Sequence, residues 1–335
     1  MIFLLALVPI ITTTSASINL KQASSQDAIS LRRTFTKGMS SEYKVAATVH
    51  NEARGRGLTT FMPSDDDINY TFYTKVLSVE AGNAVIKYSR PTISTLVDDG
   101  QSIDPQPHVD KLDQIEELTL SPINEVIDFK DISIKKKKPG QSNKYVSPSY
   151  KRQEVNAVVE FMAPFIQQVE SLSVFIGQAD SSVDFAPKFG LEPVKVGDTW
   201  KQTVGYEPQD LTNSDKKVKK VIQRLDLTYT YKGAQTWQGK SVLVVQADLS
   251  LDTDLAKYIE DTYNVTAEEI HLSKFPLNLT ETMTYYLDPK TLQTLFGTVN
   301  STGGFQLITT DYKDPVFEQK IKGYNEIRLT DSTIK

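Results

Sequence analysis

Apolar and polar residues alternate through much of this chain. Tyr43, Val45, Ala47 and Val49 stand against Glu42, Lys44 and Thr48, the period of two that marks a half-buried strand. Residues 68–79 are rich in aromatic and β-branched side chains. Glu80-Ala81-Gly82-Asn83 separates them from residues 84–91, so the two runs read as a hairpin. Further on, residues 225–232 form a strand that Gly233 is expected to end. After the turn Trp237-Gln238-Gly239-Lys240, Leu243, Val245, Ala247, Leu249 and Leu251 make one face against Gln246, Asp248, Ser250 and Asp252. Residues 280–287 and 292–299 pair across Asp288-Pro289-Lys290, Gly303-Gly304 reads as a turn before 305–310, and 323–330 closes the set. Residues 98–150 look less regular, with five prolines spread through them.

One stretch switches period. Val155, Val158, Val159, Met162, Ile166, Val169, Leu172 and Ile176 recur at steps of three and four, with Gln167, Glu170 and Ser171 between them. This predicts an amphipathic helix that kinks or begins at Pro164 and stops at Gly177. The pattern contains no βαβ alternation. It implies a mainly β (α+β) fold, a curved antiparallel sheet or half-open barrel with one principal amphipathic helix packed on it. The expected division is 29–150, a first strand-rich half; 151–190, helix and connector; and 191–335, a second strand-rich half. Whether the halves share one sheet or form two lobes stays open at this level.

Ahead of these, residues 2–11 are an apolar run of signal-peptide length followed by Thr14-Ser15-Ala16. We expect a signal peptide at 1–16, a flexible lead-in at 17–28, and export to the periplasm or cell exterior. No later run approaches the roughly 20 apolar residues a spanning helix needs.

Composition narrows the chemistry. The 335 residues include no cysteine and three histidines, with Lys+Arg 37 against Asp+Glu 42 for a net charge of −5. Disulfides, thiolate nucleophiles and thiolate metal sites are excluded, as is a lipid anchor on cysteine. His50, His108 and His271 are too scattered for a metal motif. The acidic balance gives no case for nucleic acid. A basic run at 135–152 is a candidate anion contact, although a solvated loop explains it as well. Asp65-Asp66-Asp67 lacks the spaced oxygens and glycine of a calcium loop and reads as a solvated turn. Four Asn-x-Thr sequons, at Asn69, Asn264, Asn278 and Asn300, are weak evidence of glycosylation. Glu116-Glu117 and Glu268-Glu269 diverge on either a strand or a helix, so neither pair alone makes a two-carboxylate site. No nucleophile elbow, phosphate loop or dinucleotide fingerprint is present. We expect no enzyme activity, no cofactor and no metal.

Several segments occur in an order that resembles a family of uncharacterised exported bacterial proteins with a curved antiparallel sheet. They are Thr36-Lys37-Gly38 with Tyr43, residues 193–200 (PVKVGDTW), the Gly239-Lys240 strand, and residues 285–291 (YYLDPKT). Its architecture is similar to the half-barrel of lipoprotein-localisation factors, and the resemblance transfers no catalytic residue. Leu292 and Gln293 stand where that family commonly has a glycine. Gly197, Asp198, Trp200, Asp288 and Pro289 have a plain account as fold determinants, turns and a buried ring. The expected function is shelter of a lipid or acyl chain, with Met162, Phe165, Ile166, Val169, Leu172 and Phe175 as candidate apolar liners; the same stripe equally serves a filled core. The alternative is a structural or protein-interaction module of the envelope. Expected partners are therefore a lipid, a lipoprotein or an envelope protein, with no nucleic acid and no transmembrane span in the mature chain.

Overall fold

Alternation at period two carries the strands well past the most regular stretches of the sequence. The computed structural model describes residues 27–98, 100, 104–133, 157–177, 186–206, 223–263, 266 and 268–334. The expected signal peptide, most of the lead-in, the basic run at 135–152 and Asn264 lie outside the described residues. In chain order come β1 (Met39–Gly55), β2 (Met62–Glu80), β3 (Asn83–Asp98), β4 (His108–Leu120), β5 (Val126–Asp131) and α1 (Ala157–Ser173). Then follow β6 (Thr199–Tyr206), β7 (Gln223–Trp237), β8 (Lys240–Asp254), α2 (Ala256–Tyr263), β9 (Leu272–Lys274), β10 (Pro276–Leu287), β11 (Thr294–Thr309) and β12 (Phe317–Ile334).

The strands form one open antiparallel sheet in the order β5-β4-β3-β2-β1-β12-β11-β10-β8-β7-β6, with β9 attached to β11. The first strand and the last meet at its centre: β1 pairs with β12 from Met39↔Ile334 to Gly55↔Phe317. The two strand-rich halves are thus one sheet, joined by a long backbone ladder as well as by packing. Every neighbouring pair is antiparallel, so each strand presents alternate residues to one concave face, where the core lies. Tyr43, Phe72 and Tyr88 stack in turn on adjacent strands there, at ring-centroid distances of 4.8 and 5.1 Å.

Several local expectations are corrected. Asp65-Asp66-Asp67 is not in a turn but inside β2, with Asp66 facing the core. Residues 98–150 contribute two strands, β4 and β5. Gly233 does not end its strand; β7 bulges there and runs on to Trp237. Gly303-Gly304 is no turn: both lie within β11, where added Cβ atoms would sit 2.2 Å from Asn278 O and 2.4 Å from Gln319 O. Glycine is required because the flanking backbones approach so closely. α1 starts ahead of Pro164 and runs through it.

The motif residues stabilise the margins. Gly197 N donates to Tyr231 O and Tyr231 N to Asp198 O, pinning the 193–198 loop on β7. Trp200 is only half-buried; it stacks on Tyr229 at 5.5 Å and donates from Nε1 to Lys188 O. Asp288 Oδ1 accepts from Lys290 N and Thr291 N across the turn at Pro289. Residues 29–36 run as a strap across one end of the trough. Ile29 bonds Val194, Arg33 N donates to Pro122 O, and Thr34 N donates to Thr291 O, with Leu31 and Phe35 buried beneath.

Candidate functional site

α1 lies in the trough of the sheet, against β11 and β12. Met162, Phe165, Ile166, Val169 and Leu172 are all buried, as is Phe175 just beyond the helix. Gln167, Glu170 and Ser171, which sequence places on a solvent face, are buried too. The curved sheet wraps this helix on more than one side.

The helix ends before Gly177. Phe175 takes the left-handed conformation (φ 52°), Phe175 N donates to Leu172 O, and Ile176 N donates to Ser171 O. That is a Schellman termination in a position that normally takes glycine. A side chain there costs roughly 1–2 kcal/mol, offset by burial of the ring against Tyr206 at 5.3 Å. The carbonyls that follow have no partner within the helix. Sheet side chains capture them: Ser301 Oγ donates to Ser173 O, Asn325 Nδ2 to Val174 O, Tyr206 Oη to Ile176 O and Arg90 Nη2 to Gly177 O. Four strands, β11, β12, β6 and β3, thus hold one short segment. Gly323 makes the approach possible, since a Cβ there would lie 2.3 Å from Ser173 O.

A polar cluster sits under the last turn of α1. Glu170 Oε1 accepts from Gln319 Nε2 (2.8 Å) and Asn51 Nδ2 (3.2 Å), Asn51 Nδ2 also reaches Asp66 Oδ2 (3.3 Å), and Gln319 Nε2 donates to Asn51 Oδ1 (2.8 Å). Burial raises Glu170 to about 8, with the Asp66 charge adding and the Gln319 hydrogen bond opposing. Burial, then the charges of Asp65 and Asp67, raises Asp66 to about 7. Elsewhere in the trough Arg90 donates twice to Gln114 Oε1, and Gln114 Nε2 donates to Glu116 Oε1.

Glu281, on the inward face of β10, is fully buried, and neither carboxyl oxygen has a hydrogen-bond partner. Burial holds its carboxyl well above the usual range. A neutral acid in the fold that ionises when unfolded weakens stability as pH rises above the ordinary carboxyl value. Glu281→Leu is therefore expected to stabilise the protein at pH 7 by on the order of 2 kcal/mol, with the gap narrowing below pH 5. Urea unfolding at the two pH values checks this. A destabilised variant, or a gap that does not change with pH, would contradict the account.

Between α1 and α2, Phe165, Val169 and Leu172 meet Leu255, Tyr258 and Leu277, with Tyr206 behind them, around a pocket of about 20 Å³. That is room for about one water molecule, against roughly 300–1,000 Å³ for ligand pockets. Three of the six candidate liners therefore border this opening, while Met162, Ile166 and Phe175 are packed elsewhere in the core. The histidines sit outside the trough on exposed positions, His50 against Asp65 and His108 against Asp110. The buried polar residues escaped the sequence reading. Their one available signal was position: Asn51, Asp66 and Gln319 each occupy an inward register on an alternating strand.

No protein-family model matches the sequence, and no curated protein matches it. Among solved structures, lipovitellin (lipid–protein interactions) is similar with TM-score 0.41 at 10% identity, covering 90% of this chain and 26% of that one. The chain thus spans about a quarter of lipovitellin's length. An outer-membrane lipoprotein-sorting protein domain from Vibrio parahaemolyticus gives TM-score 0.14 at 8% identity, with 88% and 86% of the two chains covered. The translocator domain of the autotransporter NalP from Neisseria meningitidis gives 0.16 at 8%, with 86% and 88% covered. Among the described residues no helix is long and apolar enough to cross a membrane.

Proposed function

We propose that this is an exported, non-catalytic protein whose concave sheet face takes up a lipid or acyl chain, with α1 occupying the ligand's place in the present state. The carrying observation is the seat of α1. Its end is held by single side-chain hydrogen bonds, and acids that a permanently sealed core would disfavour lie within the trough. The strap closes one end, the pocket beside α2 lies at the other, and this reading takes that second end as the entrance. Swinging α1 aside would uncover an apolar trough beside the pocket of about 20 Å³. Catalysis is not part of this reading, because the acids with raised pKa are buried in the trough away from solvent.

The chain lacks cysteine, so an introduced pair is the only one present. Ser173→Cys with Ser301→Cys places two thiols where α1 and β11 lie close, the Ser301 Oγ bonding the backbone oxygen of Ser173 while Ser173 Oγ turns to Glu170 O. Formation of the disulfide is verified by intact mass before the test. Native mass spectrometry with palmitate and with phosphatidylglycerol should give one-to-one adducts for the wild type and the reduced double variant, and at least tenfold fewer for the oxidised one. Absence of adducts on the wild type, or equal adducts on the oxidised form, would overturn the proposal.

One observation favours the alternative, an interaction module. The outer edge strand β5 leaves Ile127 and Phe129 exposed, and an unpaired edge can accept another chain's strand. A reproducible envelope partner lost with Ile127→Lys would support it.

A further inference from the structure

We propose that Asp66 and Glu170 are an acid-set latch on α1: while at least one is protonated they join Asn51 and Gln319 in a group that holds the helix in the trough, and ionisation of both releases it. The latch concerns the seat of α1 alone and stands whether or not a ligand enters behind it.

The geometry places one helix and three adjacent strands around a single point. Glu170 comes from α1, Asp66 from β2, Asn51 from β1 and Gln319 from β12. Asn51 Nδ2 is shared between the two carboxyls, and Asp66 Oδ1 has no hydrogen-bond partner. Two ionised carboxylates buried on one amide repel each other, whereas protonation of either one leaves a single charge beside the Asn51 donor.

The surrounding charges do not relieve the pair. On β2, Asp65 and Asp67 point outward, toward His50 and Thr48, and both add negative potential at Asp66. On β12, Glu318 is tied to Arg54 on the outer side, and Lys320 faces Glu52 there. On β3, Val97 stands opposite Asp66, and Asp98 opposite Asp65. On β11, Phe305 stands opposite Gln319. The guanidinium of the trough, Arg90, is engaged with Gln114 and Gly177 O.

The sign follows from linkage. Docked, the two acids hold protons up to about 7 and about 8; undocked, they return to ordinary carboxyl values near 4. The docked helix therefore binds more protons between those limits. Its stability is fullest below about pH 4 and is lost as pH rises through 7 and 8.

Hydrogen exchange of the full chain without ligand, corrected for intrinsic rates, reads this directly. The 165–173 amides of the wild type should lose at least tenfold in protection between pH 6 and pH 9, relative to β10 and β11. Glu170→Gln retains the acceptor for Asn51 and Gln319 and gains a donor, so it should keep the pH 6 protection at pH 9. Asp66→Asn should do the same and serves if Glu170→Gln does not fold. Glu281→Gln should leave the wild-type pH step in place. A wild-type profile flat from pH 6 to 9, or the same fall in both latch variants, would overturn the latch. Because no lipid is present, that result is separate from any failure of ligand uptake.

Discussion

Gly323→Ala is expected to lift the end of α1 off the sheet, at a cost of about 3 kcal/mol or more. The new methyl would sit 2.3 Å from Ser173 O and 2.5 Å from Ser301 Oγ. The first is backbone, with no rotamer to escape into. The helix end must retreat, which breaks the Ser301–Ser173 bond and strains Asn325–Val174 beside it. Gly303→Ala makes a useful contrast. Its methyl would meet Asn278 O at 2.2 Å and Leu279 Cα at 2.8 Å, so it strikes the β10–β11 ladder itself. We expect Gly303→Ala to lower the unfolding midpoint of the whole sheet. Gly323→Ala should keep the strand signal in far-UV circular dichroism while α1 amides exchange freely. Unchanged α1 protection in Gly323→Ala would show that the close approach does not hold the helix.

The frame was legible where one rule acted alone. Tyr43 to Val49 alternates cleanly because β1 has a core on one side and water on the other, and residues 280–287 do the same. The reading failed where a residue type has two physical uses. Gly303-Gly304 looks like turn punctuation, yet the glycines serve close backbone approach inside β11. Asp65-Asp66-Asp67 looks solvated, yet the register of β2 turns its middle member inward. β4 was hidden because only its second half alternates buried and partly buried residues, and its first half is exposed or half-exposed and charged. The apolar stripe of α1 was readable from spacing alone. The polar cluster beneath it was not, because it joins Asn51, Asp66, Glu170 and Gln319 across 268 residues of sequence. The β1–β12 and β1–β2 pairings and the seat of α1 bring them together.

Arg90→Met should be the most damaging change in the trough that leaves the backbone alone. Arg90 is fully buried. It gives two hydrogen bonds to Gln114 Oε1 and one to Gly177 O, with its guanidinium 4.9 Å from the Tyr70 ring. Gln114 passes that positive end on to Glu116, donating at 2.6 Å. Methionine fills much of the volume but supplies no donor, so Gln114 Oε1 and the Gly177 carbonyl each lose the guanidinium, and buried Glu116 loses the positive group to which Gln114 links it. Breaking one side of such a group costs about 3–5 kcal/mol. Urea unfolding should show that loss, and local exchange should rise at 174–177, where Arg90 holds the chain after α1. Glu116→Gln in the Arg90→Met background should recover part of it, because the remaining group is then neutral. If Arg90→Met unfolds at the wild-type midpoint, or if Glu116→Gln deepens the loss, the network does not act as a charge-compensated unit. The pair also separates two sources of the α1 seat. Arg90 fixes the chain after the helix through charge and should act at every pH from 5 to 9, whereas the Asp66–Glu170 contribution should fade across that range.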